Sequence, residues 1–140
     1  MVDLAGAALF AATALHLGFQ LTVTVLVYPA LARVRPEDWS AAHDAHSRAI
    51  VPLVVLTYAA LLSTLTWAWV SVPTSPGLLL ATAGTALTFA TTAFVAAPTH
   101  ARLGREGRGD TAIRHLLTAD KARAAGAVLA TAGAMIALTA

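Results

Sequence analysis

Four long apolar stretches place the tightest limit on how this chain can fold. They cover roughly residues 4–28, 50–70, 78–97 and 122–140 of a sequence of 140 residues. A helix needs about 20 apolar residues to cross the hydrocarbon of a bilayer, and a chain that is 58% hydrophobic and 11% charged is too apolar for an ordinary water-soluble domain. The sequence therefore predicts an all-α fold, with one integral membrane domain over residues 1–140 and four helices solvated by the lipid bilayer.

The basic residues predict the orientation of these helices. All nine Lys and Arg residues lie between residues 33 and 48 or between residues 102 and 123, whereas the connection over residues 71–77 is uncharged and contains two prolines and a glycine. Short loops rich in Lys and Arg stay on the cytoplasmic side of a membrane. We therefore expect an up-down-up-down four-helix bundle, multi-pass in the inner (plasma) membrane, with both termini extracytoplasmic. Residues 111–120 are predicted to form a short separate helix at the membrane surface.

The composition excludes several classes of function. The chain has no cysteine, which removes thiolate metal sites and cysteine nucleophiles. Its net charge of +2 comes from scattered basic residues accompanied by acids, and nucleic acids require a more concentrated basic surface. We therefore expect no nucleic-acid partner. The sequence leaves the oligomeric state open, including a homo-oligomer.

Small residues recur along one face of the fourth apolar stretch. Ala122, Gly126, Ala130, Gly133 and Ala137 follow one another at spacings of three and four residues. Helices in lipid associate through small residues that let their backbones approach closely. This face is therefore predicted to pack directly against a neighbouring helix.

Polar residues form a stripe along the first apolar stretch. Thr13, His16, Gln20 and Thr24 are spaced by three, four and four residues, which places them on one face of a helix. That face must point into the bundle, because an unpaired imidazole or carboxamide in hydrocarbon costs several kcal/mol. Ionisable residues at such depth are candidates for function, and the alternative is that they only join helices through hydrogen bonds.

Three further histidines are predicted to arrive at the cytoplasmic face from other helices. His43 and His46 are three residues apart on a helix that continues into the second apolar stretch, and His100 follows the end of the third. His115 lies on the same side, and the side chains expected nearby are Gln20, Tyr28, Glu37 and Arg123. Such a set of imidazoles is able to bind a metal ion, to ligate a haem or to act in acid-base catalysis, and the spacing does not choose among these.

Short stretches of the chain support two family resemblances. These stretches are His16-Leu-Gly-Phe19, Val27-Tyr-Pro-Ala-Leu31, His43-Asp-Ala-His46 and Ala97-Pro-Thr-His-Ala-Arg-Leu103. Their order resembles small four-helix membrane proteins of unknown function and, more distantly, the anthrone-oxygenase-like family, which implies oxygenase activity on tricyclic polyketides. His16 and Pro29 are also similar in placement to residues of small haem-binding, protoporphyrinogen-oxidase-like membrane proteins, a resemblance that implies a haem cofactor.

The sequence thus predicts a membrane-embedded enzyme that acts on a lipophilic small molecule in a histidine-rich pocket near the cytoplasmic face. Oxidoreductase or oxygenase-like chemistry is the first hypothesis. The predicted catalytic residues are His16, Gln20, His43, His100 and Arg123, and the predicted metal ligands are His43, His46 and His100. The alternatives are a non-catalytic protein that binds haem or a metal ion, an isomerase or cyclase that uses acid-base catalysis without metal, and a structural subunit.

Overall fold

The computed structural model describes residues 4–71 and 73–139, and this part of the chain folds into four helices. They are α1 (Leu4–Ala32), α2 (Pro36–Ser71), α3 (Pro76–Glu106) and α4 (Asp110–Thr139). All four are long and apolar enough to cross a membrane, and the described residues contain no strand. The prediction of an all-α protein with four potential spans is therefore confirmed. Val72 of the predicted turn and Ala140 of the last predicted span lie outside the described residues.

The helices are longer than the apolar stretches. α2 begins with the 3-10 turn Pro36–Asp38, so the segment that carries His43 and His46 is a direct extension of the second span. The prediction of a separate short helix over residues 111–120 is wrong, because α4 runs without a break from Asp110 to Thr139. No residue of that segment interrupts the helix, since the positive-φ glycine that ends the preceding helix is Gly107.

Consecutive helices are antiparallel neighbours. Helices α1 and α4 run in opposite directions. Thr131 Oγ1 donates to the carbonyl of Thr13 at 3.0 Å, whereas the later residue Gln20 donates from Nε2 to the earlier residue Asp120, at Oδ1, at 2.7 Å. The same reversed order relates the other helices, through His16 with Tyr58, Tyr28 with His46, Tyr58 with Thr92 and Trp69 with Thr82. These contacts make neighbouring helices antiparallel.

The two basic segments lie at the same end of the bundle. Arg108 Nη2 donates to the carbonyl of Ala32 at 3.2 Å, which joins the connection between α3 and α4 to the end of α1. Trp39 Nε1 donates to the carbonyl of Leu103 at 3.1 Å, which joins the start of α2 to the end of α3. This end of the bundle, called the basic end below, carries the predicted histidine pocket.

Helices α3 and α4 pack backbone against backbone. A Cβ added at Gly84 would overlap main-chain atoms of Ala130 and Gly126, and one added at Gly77 would overlap main-chain atoms of Gly133 and Ala137. The small residues of α4 therefore have the role predicted for them, since any larger side chain at this crossing would push the helices apart.

A π-helical turn in α1 sets the direction of Tyr28. The turn covers Val23–Val27 and is closed by a hydrogen bond from the Tyr28 N–H to the Val23 carbonyl. It comes directly before Pro29, whose ring would clash with the carbonyl four residues back in a regular helix. A π turn holds one residue more than an α turn, so Tyr28 rotates toward the bundle interior, where it is buried.

Helix α3 repeats this arrangement beside His100. Its π turn covers Thr92–Ala96, is closed by a hydrogen bond from the Ala97 N–H to the Thr92 carbonyl, and precedes Pro98. The widened turn again accommodates the proline ring. It also rotates the last part of α3, and His100 then meets the side chain of Tyr28.

Candidate functional site

A buried carboxylate connects α1 and α4 below the basic end. Asp120 is 1% exposed and accepts a hydrogen bond from Gln20 Nε2 at 2.7 Å and one from Arg123 Nη2 at 2.8 Å. Arg123 is itself only 5% exposed, so the pair forms an ion pair away from solvent. A buried charge is tolerated when it is paired and hydrogen-bonded, and here the Gln20 amide supplies the additional bond.

From this ion pair, hydrogen bonds continue through Tyr28 to two histidines. Arg123 Nη2 lies 3.0 Å from Tyr28 Oη, which lies 3.0 Å from His100 Nε2, and His100 Nδ1 lies 3.3 Å from His43 Nε2. We call this series the relay: Arg123, Tyr28, His100 and His43. It joins α4, α1, α3 and α2, so every helix of the bundle contributes one member.

When both histidines are neutral, the available donors fix the direction of every hydrogen bond in the relay. A guanidinium has only donors, so Tyr28 Oη accepts from Arg123 and its own hydroxyl donates to His100 Nε2. A neutral imidazole carries one N–H and one lone pair, so His100 donates from Nδ1 to His43 Nε2. The remaining N–H of His43 is then on Nδ1, at the end of the relay.

An apolar pocket lies against this relay. It has a volume of about 420 Å³, in the range of small-molecule sites. The four relay residues line it, and most of the remaining wall comes from Phe19, Val23, Ile50, Val51, Val54, Val55, Thr92, Ala96 and Ala97. Val51 and Val55 also face outward and are more than half exposed. The pocket is thus polar at one end and is bounded along α2 by residues that reach the outside of the bundle.

Two buried polar atoms of the pocket have no hydrogen-bond partner in the part of the chain that the structure describes. They are Nε of Arg123 and Nδ1 of His43. Leaving a buried donor unsatisfied costs about 1–3 kcal/mol. Both residues contribute to the wall of the pocket, although the two nitrogens themselves have almost no accessible surface.

Packing holds the ring of His43 in place. Trp39 stacks on it with ring centroids 5.3 Å apart, and the Trp39 N–H is fixed on the Leu103 carbonyl. On another side, a Cβ built on Gly104 would lie 3.4 Å from Cε1 of His43 and 3.7 Å from its Nδ1. His43, the last residue of the relay, therefore lies against Gly104, which has no side chain.

The three predicted metal ligands meet, but not as a metal site. The ring of His100 lies 5.5 Å from that of His43 and 5.6 Å from that of His46, centroid to centroid. His46 and His100 are stacked at an interplanar angle of 23°, and the lone pairs of stacked rings lie in separate planes. Across residues 4–71 and 73–139, no group of three or more His, Cys, Asp or Glu residues is arranged to hold a metal ion. The predicted metal centre finds no support.

His16 lies apart from the relay. It is 1% exposed, its ring meets Tyr58 edge to face at 5.5 Å, and it does not line the pocket. Neither of its ring nitrogens has a hydrogen-bond partner among the described residues. The prediction that the stripe on α1 faces inward is confirmed for Thr13, His16 and Gln20, which are all buried, whereas Thr24 is half-buried. Of the predicted catalytic residues, the structure joins Gln20, His43, His100 and Arg123 in one network, and it leaves His16 outside it.

Two other residues predicted near the site are elsewhere. Glu37 is exposed and pairs with Arg35 at 3.3 Å, because it lies in the first turn of α2 beyond the end of α1. His115 is exposed on the outer face of α4.

Sequence reasoning missed Asp120. The predicted short helix over residues 111–120 places Asp120 at the membrane surface, where a carboxylate needs no explanation. The available signal was its spacing from Arg123, since an acid three residues before a base on one helix face forms an ion pair, and this pair directly precedes an apolar stretch.

No family model, curated protein or solved structure matches the chain. The resemblances to the anthrone-oxygenase-like family and to haem-binding membrane proteins therefore stay predictions.

Proposed function

We propose that this chain is a membrane-embedded enzyme that transfers protons on an oxygen-bearing lipophilic small molecule. The observation that carries the proposal is the relay of four side chains that line an apolar pocket, with a buried nitrogen at each end that is unpaired among the described residues. A pocket that combines apolar walls with a few convergent polar groups is typical of small-molecule sites. Hydrogen-bonded Tyr and His side chains are typical acid-base groups.

The relay can give one proton to the bound molecule and later take one back from it. In the first step Nδ1 of His43 gives its proton to the bound molecule. The Nδ1 proton of His100 then moves to His43 Nε2, and the Tyr28 hydroxyl proton moves to His100 Nε2. Tyr28 becomes a phenolate beside the Arg123 guanidinium, which stabilises the negative charge. The reverse sequence removes a proton from another position of the molecule and restores the relay, so that the net result is an isomerisation.

Arg123 supplies the second contact to the bound molecule. Arg123 lines the same pocket, and its buried Nε–H has no partner among the residues the structure describes. A carbonyl or enolate oxygen placed there receives a charge-assisted hydrogen bond, which is stronger than a neutral one. We therefore infer a substrate with a carbonyl or enol group on an apolar skeleton. The oxygenase-like activity expected from the sequence would add O₂ as a second reactant after proton removal, and it stays a prediction.

We further propose that the bundle is inserted in the plasma membrane with its basic end in the cytoplasm and both termini outside. All nine Lys and Arg residues lie in the segments 33–48 and 102–123, which meet at one end of the bundle, and this placement supports the orientation. The pocket then lies at the depth of the inner leaflet. Substrate enters sideways from lipid past Val51 and Val55, the outward-facing residues of its α2 wall.

Deuterium incorporation from solvent tests this function without a known substrate. The protein in lipid nanodiscs is incubated in D₂O with a total lipid extract of the source cells, exchangeable deuterium is washed out in H₂O, and carbon-bound deuterium is measured by mass spectrometry. We expect at least one carbonyl- or enol-bearing compound to gain deuterium. The rate should fall about 100-fold or more in His43→Ala, as for loss of a general acid or base.

A pair of substitutions on α3 separates pocket chemistry from a general effect on the bundle. Ala97→Phe fills the pocket and should abolish the exchange, whereas Ala90→Phe, at an exposed residue two turns away that does not line the pocket, should leave it intact. A compound that binds without gaining deuterium would indicate a binding protein instead. A Soret band or a stoichiometric metal in the purified protein would favour the haem or metal hypothesis.

A further inference from the structure

A second cavity at the basic end shares part of its wall with the pocket. This surface cavity has a volume of about 260 Å³ and is lined by Trp39, Ser40, His43, Asp44, Leu103, Gly104, Arg105, Glu106 and Gly107. His43 and Gly104 line both the surface cavity and the pocket. The two spaces are thus separated by one imidazole and one residue without a side chain.

The last proton of the relay lies at this shared wall. His43 is 4% exposed, and its Nδ1 is buried without a hydrogen-bond partner in the described segments. No side chain covers this edge of the ring at residue 104, where a Cβ would lie in van der Waals contact with Nδ1 at 3.7 Å and with Cε1 at 3.4 Å. Any larger side chain would cover the edge of the ring.

The surface cavity is suited to hold water. Ser40 and Asp44 are exposed on the first turns of α2, and Arg105 and Glu106 are exposed at the end of α3. Charged and hydroxyl side chains give water several hydrogen-bond partners. The pocket on the other side of His43 has mostly aliphatic walls.

We propose that the surface cavity is the aqueous end of the proton path, that His43 passes protons between its water and the relay, and that Gly104 keeps this passage open. The inference rests on the proposed function. When Tyr28 is a phenolate, water gives a proton to His43 Nδ1, the Nε2 proton of His43 moves to His100 Nδ1, and the Nε2 proton of His100 moves to Tyr28. One proton enters and the phenolate is neutralised, so the hydroxide left behind diffuses into bulk water.

Hydrogen exchange of the histidine rings in the ligand-free protein tests this route. In nanodiscs with ¹⁵N-labelled histidine, the exchange of the His43 ring N–H with water is compared by NMR with that of His16. His16 is the matched control, because it is as deeply buried but lines neither cavity. We expect His43 to exchange about tenfold faster or more, since exchange of a buried N–H otherwise requires local opening.

Substitution of Gly104 closes the proposed passage. Gly104→Val should slow His43 exchange to the rate of His16, while Gly18→Val, at a glycine with nothing within 4 Å of an added Cβ, should change neither rate. If Gly104→Val does not fold, Ser40→Leu narrows the cavity from its exposed wall and should slow His43 exchange in the same direction.

Equal exchange of His43 and His16, or a His43 rate unchanged in both variants, would overturn the route. Because the measurement needs no substrate, its failure is distinguishable from failure of the proposed function. A protein that deuterates a lipid compound although His43 exchanges only as slowly as His16 would keep its acid-base function, with the ring loaded through local opening, and would lose only this path.

Discussion

At the scale of single residues, the site depends on one carboxylate that compensates one guanidinium. Arg123 is buried and gives one hydrogen bond to Tyr28 Oη and one to Asp120. Without the Asp120 carboxylate, the guanidinium would remain as an uncompensated charge in a space of low dielectric. Gln20 then fixes the carboxylate, so it acts on the relay through Asp120 rather than by touching the bound molecule.

Asp120→Asn should therefore destabilise the protein strongly. Breaking a buried ion pair by neutralising one partner typically costs about 3–5 kcal/mol. Asp110→Asn is the matched control, because Asp110 pairs with Arg108 at the same 2.8 Å but is 71% exposed, and a surface pair contributes only about 0–1 kcal/mol. The free energy of unfolding in mixed detergent micelles measures both. Equal losses in the two variants would show that Asp120 does not carry a buried charge.

The two tyrosines offer a test of the relay itself. Tyr28→Phe removes the hydroxyl between Arg123 and His100, and we expect carbon-bound deuterium incorporation to fall about 100-fold or more, as for loss of an acid-base group. Tyr58→Phe removes a hydroxyl that meets Thr92, outside the relay, and should leave the rate within about threefold. Similar rates in Tyr28→Phe and wild type would exclude Tyr28 as the proton carrier.

At the scale of the helices, regular helical periodicity predicted the buried face of α1. It did not predict the directions of Tyr28 and His100, because each follows a π turn. Thr13, His16 and Gln20 face inward because α1 is regular up to Thr22. In a regular helix Tyr28 would lie about 80° from Gln20 around the axis, and the extra residue of the π turn reduces this to about 20°. The same shift in α3 brings His100 to the face of Thr88. Spacing rules assume a constant helical twist, so they do not place Tyr28 and His100 on the faces of α1 and α3 where the relay forms.

The crossing of α3 and α4 yields a prediction at this scale. Gly84→Ala should destabilise the bundle by about 1–3 kcal/mol, because the added methyl group overlaps backbone atoms of Ala130 and Gly126. Gly18→Ala makes the same chemical change where nothing lies within 4 Å, and the higher helix propensity of alanine should stabilise it by about 0.5–1 kcal/mol. Unfolding of both variants in micelles gives the comparison. A stable Gly84→Ala variant would mean that the two helices are not in backbone contact.

At the scale of the whole molecule, polarity is concentrated at one end. The four apolar stretches and the placement of charge were sufficient to predict the helices and their antiparallel order, because hydropathy and loop length determine both. The pocket itself could not be predicted from the sequence, since its apolar wall along α2 consists of ordinary aliphatic residues that any lipid-facing helix carries. Its location at the basic end follows from Tyr28 and His100, which lie just before the two basic segments, and from His43, which lies within the first of them.

The proposed orientation in the membrane is testable because the chain contains no cysteine. Single cysteines are introduced as Thr74→Cys, at an exposed residue of the uncharged connection, and as Gly109→Cys, at an exposed residue of the basic end with open space around an added Cβ. If the basic end is cytoplasmic, a membrane-impermeant maleimide should label Thr74→Cys on intact cells and Gly109→Cys only after the membrane is permeabilised. The cysteine-free parent gives the background. Labelling of Gly109→Cys alone on intact cells would place the basic end outside and move the water that supplies the surface cavity to the extracytoplasmic side.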